Sequence, residues 1–227
     1  MTNKEFVRLL DDISKMKTYY IKGGFGHVLK ASNKKRLIDQ YKYNKDRADK
    51  INALDPSTFA FDCCGLVKGA LWGFTGNRVK TYGGAAYEAN GLKDVNESGL
   101  FKLCYHVSED MTSILPGEFL YMKGHCGIYA GGGKVYESTP SGKCGAQATS
   151  FSRVKWTAHG KLPFIEYEEG AVEKPKQEAE FYIIQRGDTL SKIASRFGIK
   201  DWRALWARNP QIINPNLIYP GQRIKIK

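Results

Sequence analysis

The chain has 227 residues, room for one medium domain and one small one, and its hydrophobic share of 42% is ordinary for a packed core. A formal net charge of +12 favours an anionic partner such as nucleic acid, anionic lipid or an anionic cell wall. No stretch is apolar enough to span a membrane, and the absence of zinc-finger spacing, an RNA-binding strand motif or a long basic run makes nucleic acid the weaker partner.

In chain order, Met1–Phe6 has no apolar signal core, so synthesis without a signal peptide is expected. Phe6, Leu9, Leu10, Ile13 and Met16 share one helical face behind a Thr2 or Asn3 cap. Gly23-Gly24-Phe25-Gly26 lacks the third glycine and the Gly-Lys-Ser/Thr of a phosphate loop. Its glycines suit close approach of the backbone to a cleft. Residues 27–60 are basic with scattered apolar positions, and a helix with a long loop is expected there.

Asp62 is a good N-cap, and Leu66, Val67, Ala70 and Leu71 recur at helical spacing after it. Cys63 thus falls in the first turn of a buried helix, where unpaired N–H groups and the positive dipole end favour a thiolate. Residues 75–115 suggest loops, a short helix and a strand. Phe119–Met122, Cys126–Ala130 and Lys134–Glu137 read as strands, the last pair joined by Gly131-Gly132-Gly133. Val154–His159 and Leu162–Ile165 are expected to add two more.

Residues 168–180 are charged and poor in apolar side chains, as a linker is. A second unit follows at 181–227. A strand is expected at Phe181–Ile184, a helix carrying Leu190, Ile193, Ala194 and Phe197, a helix from Asp201 to Asn209, and a last strand at Arg223–Ile226. The five cysteines are odd in number and irregularly spaced, which argues against a disulfide framework and for a reducing compartment. Cys104-Tyr105-His106 and His125-Cys126 bring ligand types together without the paired spacings of a structural zinc site, so neither metal nor cofactor is expected.

Asp62-Cys63-Cys64-Gly65-Leu66-Val67 resembles the nucleophile motif Asp-Cys-Ser-Gly-Leu-Val of the NlpC-like family of papain-fold cell-wall hydrolases. Tyr20–Gly24, Pro116–Phe119 and Gly124–Tyr129 resemble that family's Tyr-Val-Trp-Gly-Gly, Pro-Gly-Asp-Leu and Gly-His-Val-Gly-Ile-Tyr, in the same order. The resemblance implies an α+β fold over residues 1–167, with a cysteine-bearing helix packed on an antiparallel sheet. The 27–60 segment is then an insertion beside the active site.

By the same resemblance Cys63 is the nucleophile and His125 its base. Of the four histidines, His27, His106, His125 and His159, only His125 sits in the matching motif. It shares a strand face with Gly127, which is expected to leave open cleft space. The family's third polar residue falls at Glu137, and a carboxylate can hold an imidazole as in serine triads. Its geometry requires an odd-length hairpin loop, absent a bulge. Tyr20, Asp62 and Cys64 are expected to contact substrate, with the Tyr20 hydroxyl a second oxyanion donor. Cys64 stands where the family usually has serine, and its thiol is a poorer hydrogen-bonding group.

Residues 181–227 resemble the LysM family at Gly187–Leu190, Asn209-Pro210 and Asn214–Gln222. LysM modules bind N-acetylglucosamine-containing glycans. The resemblance implies a groove between Asp188-Thr189-Leu190 and Asn216-Leu217-Ile218. Together the two resemblances imply a monomeric peptidoglycan hydrolase of the phage endolysin type. Its target is the D-glutamyl–diamino acid bond or, alternatively, the muramoyl–L-alanine amide. A catalytically inactive glycan-binding protein is a further alternative.

Overall fold

The computed structural model describes residues 1–168, 181–212 and 214–226. From residue 169 onward the expected linker lies outside the described residues. The described chain forms two units, Met1–Tyr167 and a second beginning at Glu168.

The first unit opens with helix α1 (Asn3–Lys15), closed at its start by a capping box in which Thr2 Oγ1 accepts from the Glu5 N–H and the Glu5 carboxylate accepts from the Thr2 N–H. Strands β1 (Thr18–Tyr20), β2 (Phe25–Val28) and β3 (Phe59–Phe61) form a small sheet in the order β1-β3-β2, with β1 parallel and β2 antiparallel to β3. Between β2 and β3 lie three helical segments, α2 (Ala31–Gln40), α3 (Lys42–Lys45) and α4 (Ala48–Asn52). The helix expected in the 27–60 segment is present, and further short helices stand where a long loop was expected beside it. The segment's polar residues are structural: buried Asn44 accepts from the Lys22 N–H and donates to the Lys22 and Leu37 carbonyls, and Lys34 caps the carbonyls of Asn52 and Leu54.

Helix α5 (Cys63–Leu71) starts at Asp62, whose Oδ1 accepts from the Gly65 N–H at 2.6 Å. All nine of its residues are buried. It carries two glycines, each costing about 1 kcal/mol of helix propensity relative to alanine, so packing must hold it. They sit four apart, where strand backbone lies against the helix: a Cβ on Gly65 would fall 1.7 Å from the Gly24 carbonyl oxygen, and one on Gly69 2.5 Å from that of Phe25. Gly65→Ala should thus force α5 off the sheet and cost about 3 kcal/mol or more. A thermal melt that fell by less than a few degrees would refute this account of the packing.

Helix α6 (Glu97–Leu103) leads into the main sheet. That sheet comprises β4 (Tyr105–Ser108), β5 (Phe119–Met122), β6 (His125–Gly131), β7 (Lys134–Thr139), β8 (Gly145–Ser150) and β9 (Ala158–Lys161), ordered β4-β9-β5-β6-β7-β8 with every pairing antiparallel. One face carries Phe119, Cys126, Ile128, Tyr136 and Ala146 into the core with α5. The other carries Leu120, Val135 and Trp156 in a smaller cluster. Two expectations are corrected here. Only Ala158–Lys161 of the 154–159 stretch and its continuation is strand, preceded by a 3₁₀ turn at Phe151–Arg153, and 162–165 turns away to bring Glu166 beside Thr2.

The second unit has β10 (Phe181–Ile183), α7 (Leu190–Arg196), α8 (Trp202–Ala207) and β11 (Arg223–Lys225), with β10 and β11 antiparallel. Ile184, Leu190, Ile193, Leu205, Ile212 and Ile224 fill its core. Asn209 is fully buried, donating to the Leu205 and Lys225 carbonyls and accepting from the Lys225 N–H at 2.6 Å, which ties the end of α8 to β11.

Candidate active site

Cys63 occupies the first helical position of α5. The first-turn N–H groups of a helix have no intrahelical acceptor, and Asp62 satisfies that of Gly65, so the dipole end at Cys63 faces the thiol. Asp62 also accepts from the Gly23 N–H through Oδ2 at 2.7 Å, pinning the Gly-Gly turn to the helix start. Both of its oxygens are therefore engaged. Burial and the neighbouring Cys63 charge push its carboxyl up to about 6.

Strand β6 begins at His125. Alternation turns Cys126 and Ile128 toward α5 and His125 toward the opposite face, shared with Glu137 and Trp156. Because His125 is the first residue of the strand, its ring still reaches the Cys63 thiol at the end of the sheet. Nε2 of His125 lies 2.5 Å from Oε2 of Glu137, leaving Nδ1 as the ring nitrogen that does not meet the carboxylate.

The hairpin register that makes this possible has an unexpected origin. The turn holds two residues, Gly132 and Gly133, between the paired Gly131 and Lys134. A bulge at Ala130 then shifts the register so that Tyr129 pairs with Val135 and Ile128 with Tyr136. The extra residue restores the pairing that an odd loop would have produced, and Glu137 stays on His125's face.

Glu137 is 0% exposed. Its Oε1 accepts from Arg153 Nε at 2.9 Å and Nη2 at 2.6 Å, and from the Thr149 hydroxyl. Burial opposes ionisation, but the hydrogen bonds from His125, Arg153 and Thr149 hold the carboxyl below its ordinary range. The His125 ring stacks on Trp156 at 5.6 Å and 19° between planes. Gly127 does not open a cleft as expected: a Cβ there would meet Val135 and Trp156 at 2.7 and 3.2 Å, so its lack of a side chain admits the indole that covers the histidine. Trp156, Arg153 and Thr149 carried no recognisable motif. They come from β8 and the turn after it, and only pairing with β7 brings them to Glu137.

The electrostatics favour a thiolate–imidazolium pair. Hydrogen bonds to Cys126 and Cys64, together with His125, hold Cys63 well below the ordinary thiol range against the opposing effect of burial. Burial lowers His125, but its contacts with Cys63 and Glu137 outweigh that and push it up to about 9. Tyr20 stands close enough for the Cys63 and Asp62 charges to add to burial in raising its phenol, which stays protonated. The Cys64 thiol is buried, 3.9 Å from Cys63 and 3.8 Å from Cys126.

Two other histidines are structural. His27 is buried against Arg36, and burial with that charge pushes it down to about 3. His159 pairs with buried Glu118 and sits 3.0 Å from the Asp110 carbonyl oxygen, so both of its ring nitrogens are engaged. A histidine–carboxylate pair alone is thus no signature of catalysis in this fold.

In the second unit, Asp188 is turned inward to accept from the Tyr182 hydroxyl and the Gln185 N–H, and Leu190 is core. Thr189 caps α7 and is exposed, as is Asn216, while Ile218 packs partly on the core. Leu217 and Tyr219 are 54% and 58% exposed, large apolar surface beside the expected groove.

Comparison with known proteins matches a LysM domain at residues 182–227. Over 47 residues, 21% of this chain, it is 47% identical to a spore coat assembly protein, ExsA, of Bacillus cereus, covering 7% of that protein. Over 54 residues, 23% of this chain, it is 43% identical to an endolysin of Bacillus phage B103, covering 20% of it. The chain therefore spans a small fraction of these relatives. Two solved structures of Trichomonas vaginalis, NlpC1 and NlpC2, superpose on 70% of this chain and on 44% and 46% of their own, with TM-scores of 0.40 and 0.38 and identities of 15% and 14%. Among the described residues no helix is long and apolar enough to cross a membrane.

Proposed function

We propose that this protein is a cysteine-dependent peptidoglycan hydrolase, acting in the manner of an endolysin and held at the wall by its LysM domain. What carries the reading is one arrangement: a thiol at a helix N-terminus, an imidazole against it, and a buried carboxylate 2.5 Å from that imidazole.

In this reading the Cys63 thiolate attacks an amide carbonyl of the peptide stem. The oxyanion forms at the start of α5, beside the Cys63 N–H, with the Tyr20 phenol as second donor. The His125 imidazolium protonates the departing amine and, once neutral, takes a proton from the water that releases the acyl group. Glu137 keeps the ring oriented with Nδ1 toward sulfur, and Trp156 shields their hydrogen bond from water. Asp62, with both oxygens on the Gly23 and Gly65 N–H groups, and buried Cys64 hold the start of the helix rather than meet substrate as expected. The bond cut is the D-glutamyl–diamino acid peptide bond. The cationic surface and the exposed Thr189, Asn216 and Leu217, with Ile218 between the loops, meet the glycan.

Mass spectrometry of purified peptidoglycan after digestion tests this directly, because the newly exposed amino group identifies the bond. A free amine on the diamino acid is the expected product. A free L-alanine amine would make the protein an amidase instead, and no new amine would remove the hydrolase reading. Deleting residues 181–227 should weaken binding to intact walls at least about tenfold while leaving cleavage of soluble muropeptides within about twofold, because a tethered binding module supplies local concentration and no chemistry. Equal wall binding by the truncated and full chains in a sedimentation assay would refute the targeting role.

A further inference from the structure

The nucleophile has two sulfur neighbours that the proposed hydrolysis does not require. Cys63 and Cys64 come from the first turn of α5, and Cys126 comes from β6, where strand alternation turns it toward the helix. Their sulfurs are 3.9 Å apart for Cys63–Cys64 and 3.8 Å for Cys64–Cys126, and all three lie within 4.8 Å of one another. A metal–sulfur bond of about 2.3 Å sets the edge of a tetrahedral thiolate site near 3.8 Å and that of a trigonal one near 4.0 Å. The Cys63–Cys64 and Cys64–Cys126 separations already have those lengths.

We propose that Cys63, Cys64 and Cys126 form a binding site for one thiophilic cation of zinc's size, and that its occupancy blocks the nucleophile. Three thiolates complete a trigonal site or three corners of a tetrahedral one. The remaining two cysteines, Cys104 and Cys144, stand outside the cluster. Binding is a proton exchange. Each thiol that enters the coordination shell gives up its proton as it takes up the cation. The imidazolium of His125 beside Cys63 offsets the negative charge left by three thiolates around a divalent ion. Sulfur that donates to the cation is a far weaker nucleophile, and the ion occupies its approach to a carbonyl. The blocking half of the proposal rests on the hydrolase reading; the site itself does not.

The test uses the full chain, reduced and stripped of metal, titrated anaerobically with cadmium ion. Thiolate-to-cadmium charge-transfer absorption reports the number of sulfurs bound. One equivalent with three-thiolate intensity is expected. Cys126→Ala should lower that intensity by about a third and the affinity at least tenfold, while Cys104→Ala leaves both unchanged. Zinc ion should inhibit muropeptide cleavage by the unaltered chain, and Cys126→Ala should need at least tenfold more zinc for the same inhibition. Absorption from a single thiolate at one equivalent, or full intensity and affinity in Cys126→Ala, would overturn the site. If Cys126→Ala does not fold, the double variant Cys104→Ala, Cys144→Ala takes its place, and loss of the three-thiolate signal there overturns the proposal. The absorption needs no turnover. A three-thiolate signal without hydrolysis therefore sinks the hydrolase reading alone, and hydrolysis without that signal sinks the metal site alone.

Discussion

Cys63→Ala is expected to cut turnover of purified peptidoglycan by a factor on the order of 10⁴ or more, to the level left by binding and oxyanion stabilisation. No neighbouring sulfur can substitute. Burial, which the substitution leaves in place, keeps Cys64 and Cys126 as protonated thiols, and Cys126 faces the core rather than His125. The fold should survive, since alanine keeps the helix and the Asp62 cap does not involve the thiol. Circular dichroism and a melt within a few degrees of the parent would establish that. Retained activity in Cys63→Ala, with activity lost in Cys64→Ser, would move the nucleophile one residue along the helix and end the present assignment.

The second large effect concerns Glu137. Glu137→Gln keeps the shape and the acceptor for Arg153 and Thr149 but removes the charge that stabilises the imidazolium. Turnover should fall about 10²-fold or more, as for loss of an orienting carboxylate behind a catalytic histidine. The pH profile gives the more discriminating readout. His125 is raised to about 9, so the active ion pair persists up to that pH and is lost as the ring deprotonates above it. The carboxylate favours the protonated ring, so removing its charge lets the proton leave at lower pH. The alkaline limb should therefore move down by more than one unit, as a property of the coupled Cys63–His125 pair. An unchanged alkaline limb in Glu137→Gln would show that Glu137 does not act through His125, and a merely structural role would shift only the melt.

Helix α5, strands β5, β6 and β7, and all four elements of the second unit were readable from periodicity and end signals alone. Each has its determinant within a few residues: Asp62 before the apolar repeat, alternation in Phe119–Met122, Thr189 and Asp201 as caps. Periodicity did not nominate the thiol and the imidazole; the resemblance of the motifs around Tyr20, Cys63 and His125 to those of a known family did. Strand β8 was not readable, because Gly145-Ala-Gln-Ala-Thr-Ser150 has neither bulk nor alternation. It is a strand because β7 offers it a row of unpaired backbone groups, and through that pairing Thr149 arrives at Glu137. One helix was expected in 27–60; the short α3 and α4 escaped for a similar reason, because buried Asn44 and Lys34 hold the segment through hydrogen bonds that no local pattern announces.

Local sequence chose the helix that carries Cys63, its cap and the strand that carries His125, because those preferences act over one or two turns of chain. The folded sheet decided what surrounds them. A single bulged residue at Ala130 sets which face Glu137 takes, since side chains alternate and a shift of one position reverses all of them. The same alternation turns Cys126, far along the chain, toward Cys64 at 3.8 Å while its neighbour His125 turns the other way to meet Glu137. Neither meeting can be read from spacing, because each depends on register between segments that only the packed core brings into contact.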